Sequence, residues 1–171
     1  MCRYQYLEKI LQNIDNDTII AFTDYYERHS DGIHTTNRNL KIKRLLLMSL
    51  KIKAFQKSKW IRRRILSLGN PICCPAVTFH KEKVKDNIFQ SDFRSNMDWK
   101  AWELLSKEQG RFVYVAKPLM MHRIHEESTT TEVINAGKRT NEDFRMMSLF
   151  WPKWIAKILA KIYAGSEKNN Q

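Results

Sequence analysis

Residues 18–27 read TIIAFTDYYE, a run of apolar, β-branched and aromatic side chains with turn-forming residues on both sides. Asp15, Asn16 and Asp17 precede the run, and RHSDG follows it at residues 28–32. Runs of this length and composition between turn formers are typical of buried β-strands. The stretch therefore predicts a buried strand that is closed by a turn.

The elements around this strand alternate between helical and extended patterns. Residues 4–14 carry apolar side chains at helical spacing, and residues 98–110 form a second helical pattern that ends at a glycine. Two further strands are predicted, at residues 76–82 and at residues 111–120, and Pro118 ends the second of them. The order is that of an α/β chain with three short strands, which make a poor sheet unless further strands are supplied from elsewhere. The fold is therefore expected to be incomplete.

The composition is that of a folded intracellular protein of one domain. The 171 residues are 43% apolar and 11% aromatic, which is enough for a hydrophobic core. No apolar run approaches the roughly 20 residues that span a bilayer, and the N-terminus lacks the layout of a signal peptide. Cys2, Cys73 and Cys74 are an odd number without metal-binding spacing, which indicates a reducing compartment. We therefore expect a cytoplasmic protein.

Positive charge is concentrated in one segment. Between Gly32 and Lys81 there is no aspartate or glutamate, whereas 12 residues are lysine or arginine. The net charge of the chain is also +12, so this segment carries the whole basic excess. Such a segment favours nucleic acid, anionic lipid or a nucleotide diphosphate as the partner. The alternative is a solvated basic face without a dedicated partner.

Two further helical segments are predicted. Residues 40–68 read as helix through most of the basic segment, and the prolines of GNPICCP at residues 69–75 end it. Residues 150–163 predict an amphipathic helix with three lysines opposite one apolar stripe. The stripe consists of Trp151, Trp154, Ile155, Ile158, Leu159 and Ile162. Two interpretations stay open: the helix covers the sheet, or it lies on the inner leaflet of a membrane, where tryptophan and lysine favour the interface.

Residues 120–131 read MMHRIHEESTTT and are predicted to form a loop after the third strand. The residue types suit a metal or phosphate site, because neutral imidazole coordinates divalent metals and arginine pairs with phosphate oxygens. A polar surface loop that contains two histidines is the alternative.

Four stretches together resemble a known family. They are IIAFTDYYE at 19–27, GNPICCPAVTFHKE at 69–82, FRSNMDWKAWELLSKEQGRFVYVAKPL at 93–119 and HRIHEESTT at 122–130. In order and spacing they resemble the second half of a family 2 glycosyltransferase, one of the inverting nucleotide-sugar enzymes of the GT-A fold. The resemblance covers residues 4–131. It implies a partial GT-A-like α/β fold that lacks its N-terminal nucleotide-binding half and ends in amphipathic helices.

The resemblance divides the chain into an acceptor-side part at residues 1–131, a helical extension at residues 132–165 and a loose tail at residues 166–171. The first strand of the family and its Asp-x-Asp metal motif are missing. Asp15 and Asp17 have the spacing of that motif but lie on the wrong side of the first strand. We therefore expect one piece of a truncated or split transferase, inactive or weakly active alone, with a separate N-terminal half as a partner.

The resemblance also assigns roles to individual residues. Asp98 matches the position of the catalytic base, although a carboxylate at a helix start also suits a plain N-cap. Trp99 and Trp102 are candidates for stacking on an acceptor sugar, with core packing as the alternative. Arg123 and His125 match the family's Arg-x-His loop, which implies that they bind the donor diphosphate and that His125 lies at a Mg²⁺ or Mn²⁺ ion.

The implied function is the transfer of a sugar, with inversion, from a nucleotide-sugar donor to a glycan or lipid-linked acceptor in cell-surface polysaccharide synthesis. Two other classes stay open. A nucleic-acid-binding protein would use segment 38–64, where Phe55 and Trp60 can stack on bases, but no zinc spacing or RNA-recognition signature accompanies them. A non-catalytic peripheral membrane protein would use the terminal helix.

Overall fold

The chain folds as a mixed α/β protein, as the sequence predicts. The computed structural model describes residues 3–123 and 138–168, and within them there are six α-helices and four β-strands. The strands are β1 (Thr18–His29), β2 (Gly32–His34), β3 (Val77–Phe79) and β4 (Arg111–Arg123). The helices are α1 (Arg3–Leu11), α2 (Arg38–Leu47), α3 (Lys59–Leu66), α4 (Met97–Leu105), α5 (Lys138–Met147) and α6 (Lys153–Lys168).

The strand predicted at residues 18–27 is confirmed, and as β1 it is the centre of the sheet. β4 runs parallel to it on one side, while β3 pairs antiparallel with its first half on the other side. β2 forms a hairpin with the C-terminal end of β1, at the predicted turn. Gly32 follows that turn with a φ of 142°, a backbone conformation that residues other than glycine rarely adopt.

β4 is longer than the sequence predicts. The prediction that Pro118 ends this strand is wrong, because the strand continues to Arg123. Proline has no amide hydrogen for the ladder, and the pairing with β1 shifts its register around Asp24 to accommodate the gap. Residues 120–123 of the predicted loop therefore belong to the sheet, whereas residues 124–131 lie outside the described residues.

The two faces of the sheet cover two cores of different size. On one face, α1 places Ile10 against Ala21, Val113 and Val115. The larger core, on the other face, gathers side chains from the sheet, from α3 and α4 and from both C-terminal helices. Its buried members include Ile20, Phe22, Leu50, Leu66, Trp99, Trp102, Phe112, Met146, Ala156 and Ala160.

The basic segment is helical, but it does not form one helix. α2 begins after Asn37 and α3 begins after Ser58, and each of these side chains accepts the backbone amide three residues further on. Between the two helices lie short 3-10 helices at Met48–Lys51 and Lys53–Lys57. The helix predicted for residues 40–68 is therefore confirmed in type and broken in its middle, because Ile52 and Ser58 adopt extended backbone conformations.

The C-terminal helices pack into the larger core. α6 continues to Lys168, so residues 166–168 of the predicted tail are helical, and residues 169–171 lie outside the described residues. Within residues 3–123 and 138–168, no helix combines the length and the apolar character that crossing a bilayer requires.

The apolar stripe predicted on the last helix is divided between two faces. The face toward the core carries Ala156 and Ala160, which are fully buried, together with Leu159 and Tyr163. The outer face carries the exposed side chains Trp154, Ile158 and Ile162. The prediction of one stripe opposite the lysines is therefore wrong, because small alanines rather than the large side chains make the closest contact with the core.

Candidate functional site

Asp98 lies in the first turn of α4 as its second residue, and Asn96 rather than Asp98 occupies the N-cap position. Its carboxylate is held from two sides. Asn70 Nδ2 donates to Oδ2 at 2.8 Å, and the backbone amide of Trp99 donates to Oδ1 at 2.7 Å. Burial raises the pKa of Asp98 above the ordinary aspartate value, and the two hydrogen bonds offset this effect only in part. Asp98 is thus an oriented carboxylate with a raised proton affinity.

The turn that carries Asp98 is fixed by a buried glutamate of α5. One oxygen of Glu142 accepts the backbone amide of Arg94 at 2.9 Å. The other accepts the amide of Ser95 at 2.9 Å, the Ser95 hydroxyl at 2.7 Å and the amide of Asn96 at 3.2 Å. Asn96 Nδ2 also donates to Asp143 at 2.7 Å. Glu142 therefore holds the segment 94–96 that leads into α4, including the amide of the N-cap residue Asn96, whose own side chain makes no cap hydrogen bond.

A lysine–tyrosine pair lies near this carboxylate. Lys43 of α2 donates from Nζ to the Tyr25 hydroxyl at 2.7 Å and lies 5.4 Å from the centre of the Tyr25 ring. Burial raises the pKa of Tyr25 to about 12, so its phenol is neutral at neutral pH, and its oxygen accepts a hydrogen bond from the Lys43 ammonium group. The charge of Lys43 favours the ionised form of Asp98, against the effect of burial. The cluster therefore keeps one cation close to the carboxylate.

Cys73 and Cys74 lie beside the same cluster and are both reduced. Burial raises the pKa of Cys73 to about 12 and that of Cys74 to about 11. A thiol acts as a nucleophile only as its thiolate, so neither cysteine is a nucleophile at neutral pH.

Trp99 and Trp102, the two predicted sugar-stacking residues, are both completely buried, with 0% of their surfaces exposed. Trp99 Nε1 donates to the carbonyl of Leu66 at 3.0 Å. The ring of Trp102 stacks on Phe79 at 5.7 Å and meets the edge of Phe89 at 6.0 Å. Burial leaves neither ring a face for a sugar, so the core-packing alternative applies to both residues.

Arg123 is exposed at the end of β4, where it pairs across the sheet with Arg28. Residues paired across a sheet share one face, and successive residues alternate between faces. His122 pairs with Glu27 on the face opposite to Arg123, and its ring lies 6.1 Å from that of Tyr25. The structure therefore brings His122, rather than Arg123, toward the Tyr25–Lys43 pair. His125 lies outside the described residues.

The described residues do not fit a divalent metal. Within residues 3–123 and 138–168, no three histidine, cysteine, aspartate or glutamate side chains are arranged as metal ligands. Asp15 forms an ion pair with Arg111, and Asp17 forms one with Lys57 at 2.5 Å. The Asp-x-Asp spacing at residues 15–17 therefore serves tertiary ion pairs.

Several residues of the cluster escape sequence reasoning. Lys43 is one of 12 basic residues in its segment, and no local signal separates it from the others. Tyr25 and Asn70 fall within stretches that carry the family resemblance, but nothing in their spacing connects them to Asp98. Glu142 carries no such signal either, because its partners are backbone amides 46 to 48 residues earlier in the chain.

An open cleft of about 390 Å³ lies elsewhere on the surface. Its walls include Asp24, Tyr26, Arg44 and Tyr114, and Arg44 forms an ion pair with Asp24 at 2.7 Å. Asp98 does not line this cleft.

No family model, no curated protein and no solved structure matches the chain.

Proposed function

We propose that the chain is the acceptor-side part of an inverting family 2 glycosyltransferase and that Asp98 is its general base. The proposal combines the sequence resemblance with one structural observation: Asp98 is a partly buried carboxylate, oriented by two hydrogen bonds, with a raised pKa. An inverting transfer needs a base that removes the proton of the acceptor hydroxyl while the sugar bond forms. The donor is a nucleotide sugar and the acceptor is a glycan or a lipid-linked saccharide.

The surroundings of Asp98 suit this role. Each carboxylate oxygen accepts one hydrogen bond, from Asn70 or from the Trp99 amide, and retains a lone pair for an acceptor hydroxyl. A carboxylate with a raised pKa is a stronger base than a solvated aspartate. The charge of Lys43 limits the increase in the pKa of Asp98, which favours the ionised carboxylate at neutral pH.

The donor side of the reaction is assigned by the resemblance alone. It implies that Arg123 and His125 bind the diphosphate and that Mg²⁺ or Mn²⁺ neutralises the leaving group. The described residues do not fit that ion. In the proposal, His125 lies at the ion and the separate N-terminal half supplies its aspartate ligands.

Nucleic-acid binding is the weaker alternative, because six of the 12 basic residues between Gly32 and Lys81 have partners within the fold. Three examples show this. Lys43 donates to Tyr25, Arg63 pairs with Glu103 at 2.7 Å, and Arg62 is completely buried. The six that have partners are Lys43, Arg44, Lys57, Arg62, Arg63 and Arg64. Arg62 is buried and Lys43, Arg44 and Arg63 are only partly exposed, so the exposed charge of the segment is smaller than its sequence suggests.

The test is a carbohydrate-binding measurement by saturation-transfer NMR, with a panel of oligosaccharides between about pH 5 and pH 8. We expect wild-type protein to bind one class of acceptor, and Asp98→Asn to weaken that binding at least about tenfold, because a hydrogen bond to a charged group is worth roughly 1.5–3 kcal/mol. Asp86→Asn, at an exposed carboxylate, is the matched control and should bind as wild type does.

Two results would contradict the proposal. One is that no oligosaccharide binds, or that binding is the same in Asp98→Asn. The other is polynucleotide binding with a steep salt dependence, which would favour the basic segment as the functional surface. Adding nucleotide sugars with Mg²⁺ or Mn²⁺ and searching for products by mass spectrometry then measures whether the chain alone transfers sugar.

A further inference from the structure

The last helix presents an apolar row to solvent. Trp154, Ile158 and Ile162 lie four residues apart on the outer face of α6, with 69%, 53% and 64% of their surfaces exposed. Side chains at this spacing form one continuous row along a helix. An exposed row of three large apolar side chains, one of them a tryptophan, is typical of an interaction surface.

A row of lysines runs beside the apolar row. Lys153, Lys157 and Lys161 each precede one of its members by one position, so the two rows are displaced by roughly 100° around the helix. All three lysines are exposed, and the sequence from 153 to 165 contains no acidic residue. The outer face of α6 is therefore apolar along one row and cationic along the next.

We propose that this face of α6 binds the surface of an anionic lipid bilayer. The apolar row would enter the boundary between headgroups and acyl chains, where tryptophan is favoured, while the lysines extend to the lipid phosphates. Charge selects this occupant. A second copy of the chain would bring one lysine row against another, and both copies carry a net charge of +12. The proposal is independent of the role of Asp98.

The inner face of α6 fixes the orientation of this surface. Ala156 and Ala160 are 0% and 2% exposed, and Tyr163 packs its ring 5.9 Å from that of Trp99. Turning the outer row toward the core would require space for a tryptophan and two isoleucines where alanines now make contact. The folded protein therefore presents the row outward, and membrane binding requires no rearrangement of α6.

The first test is flotation of the full chain with vesicles of phosphatidylcholine containing about one third phosphatidylglycerol. We expect wild-type protein to float with these vesicles and to bind pure phosphatidylcholine at least roughly tenfold more weakly. The combined substitutions W154Q, I158Q and I162Q should abolish flotation. Lys157→Gln should weaken binding by about fivefold, since one lysine near an anionic surface contributes about 1 kcal/mol.

A matched control uses three other apolar side chains of similar exposure. Leu45, Met48 and Ile52 are 64%, 54% and 53% exposed, on α2 and the segment that follows it. The combined substitutions L45Q, M48Q and I52Q should leave flotation unchanged. If the control abolishes flotation and the α6 substitutions do not, the proposal is wrong and the membrane surface lies on the basic segment.

Tryptophan fluorescence gives a second, local readout. Trp154 and Trp60 are both highly exposed, at 69% and 73%. We expect anionic vesicles to shift the emission of wild-type protein to the blue, Trp60→Phe to retain this shift and Trp154→Phe to lose it. The proposal is overturned if wild-type protein does not bind anionic vesicles at low salt. It is also overturned if the α6 row instead causes lipid-independent dimers, detected by sedimentation.

Discussion

Replacing Glu142 by glutamine tests how the candidate site is held in place. Glu142 is only 9% exposed, and its two oxygens accept four hydrogen bonds from the segment 94–96 just before α4. Glutamine keeps the size of the side chain but replaces one oxygen by an NH₂ group. Whichever way the amide is oriented, this group faces a backbone N–H that has lost its acceptor.

The size of the effect follows from the number of donors that lose their partner. If the amide oxygen takes the position that accepts three hydrogen bonds, the N–H of Arg94, in a partly buried contact, loses its charged acceptor. A hydrogen bond to a charged group is worth roughly 1.5–3 kcal/mol, so we expect a loss of roughly 2 kcal/mol in the free energy of unfolding. For a chain of this length that corresponds to a decrease of about 4–8 °C in Tm.

The same loss should depend on pH. Burial alone would raise the pKa of Glu142, but the hydrogen bonds from Arg94, Ser95 and Asn96 lower it below the ordinary value. A lowered folded-state pKa contributes stability above the unfolded-state pKa, and this contribution is lost as pH falls through the folded-state value. The difference between wild type and Glu142→Gln should therefore be complete at pH 7 and decrease below about pH 4.

Thermal and urea unfolding at several pH values measure this difference. Glu82→Gln, at an exposed glutamate, is the matched control and should change the free energy of unfolding by less than about 0.5 kcal/mol. If Glu142→Gln is as stable as this control at pH 7, then Glu142 does not hold the segment 94–96 in place before α4. The account of how Asp98 is positioned would then be wrong.

Three further substitutions test the packing and charges around the site. Burial raises the folded-state pKa of Asp98 above the ordinary value of 3.8, so the ionised carboxylate opposes folding above the folded-state pKa but not below 3.8. In Asp98→Asn this cost is absent, so the free energy of unfolding of the variant relative to wild type should rise with pH, by about 1.4 kcal/mol per unit by which the pKa is raised. A difference that does not change with pH would contradict this. Gly69→Ala should lower the free energy of unfolding by about 1–3 kcal/mol in thermal unfolding, because the φ of Gly69 is 148° and the new Cβ would lie 2.8 Å from the Tyr163 ring. Gly165→Ala is the control and should be neutral or stabilising, because no atom lies within 4 Å of its new Cβ. Glu103→Gln should lower the free energy of unfolding by about 1–3 kcal/mol in urea unfolding, because the fully buried Glu103 carboxylate pairs with three cationic side chains at 2.5–3.0 Å. A loss below about 0.5 kcal/mol would show that these ion pairs contribute little to stability.

The sequence predicts those elements whose signal is local. β1 is recognisable because its apolar and aromatic run is bounded by turn formers, and α4 because its apolar side chains recur at helical spacing. The course of β4 beyond Pro118 is not local, since it depends on a shift of register against β1. The sequence around the last helix also does not show which of its apolar side chains face the core and which face solvent. Its periodicity shows that it is amphipathic, but only the packing shows that alanines rather than Trp154 meet the core.

In the candidate site, too, local features are predictable from the sequence and features that depend on tertiary contacts are not. Asp98 is identified by resemblance to a family, and its position at the start of a helix is confirmed. Burial raises its pKa, and Asn70 and Lys43, which come from two distant segments, limit that increase, so no pattern around Asp98 contains this information. The two tryptophans show the converse, because aromatic residues next to a predicted base suit a sugar and also suit a core, and only their burial separates the two.

The C-terminal helices α5 and α6 contact the residues that position Asp98. α5 holds the start of α4 through Glu142, and α6 places Tyr163 against Trp99 at 5.9 Å and over Gly69. Trp99 follows Asp98 directly and donates its amide to the carboxylate, while Gly69 precedes the asparagine that donates to the other oxygen. Both donors to Asp98 are therefore backed by the inner face of the helix whose outer face carries the proposed membrane surface. If both proposals hold, a lipid-linked acceptor held at that membrane would lie on the far side of α6 from the base.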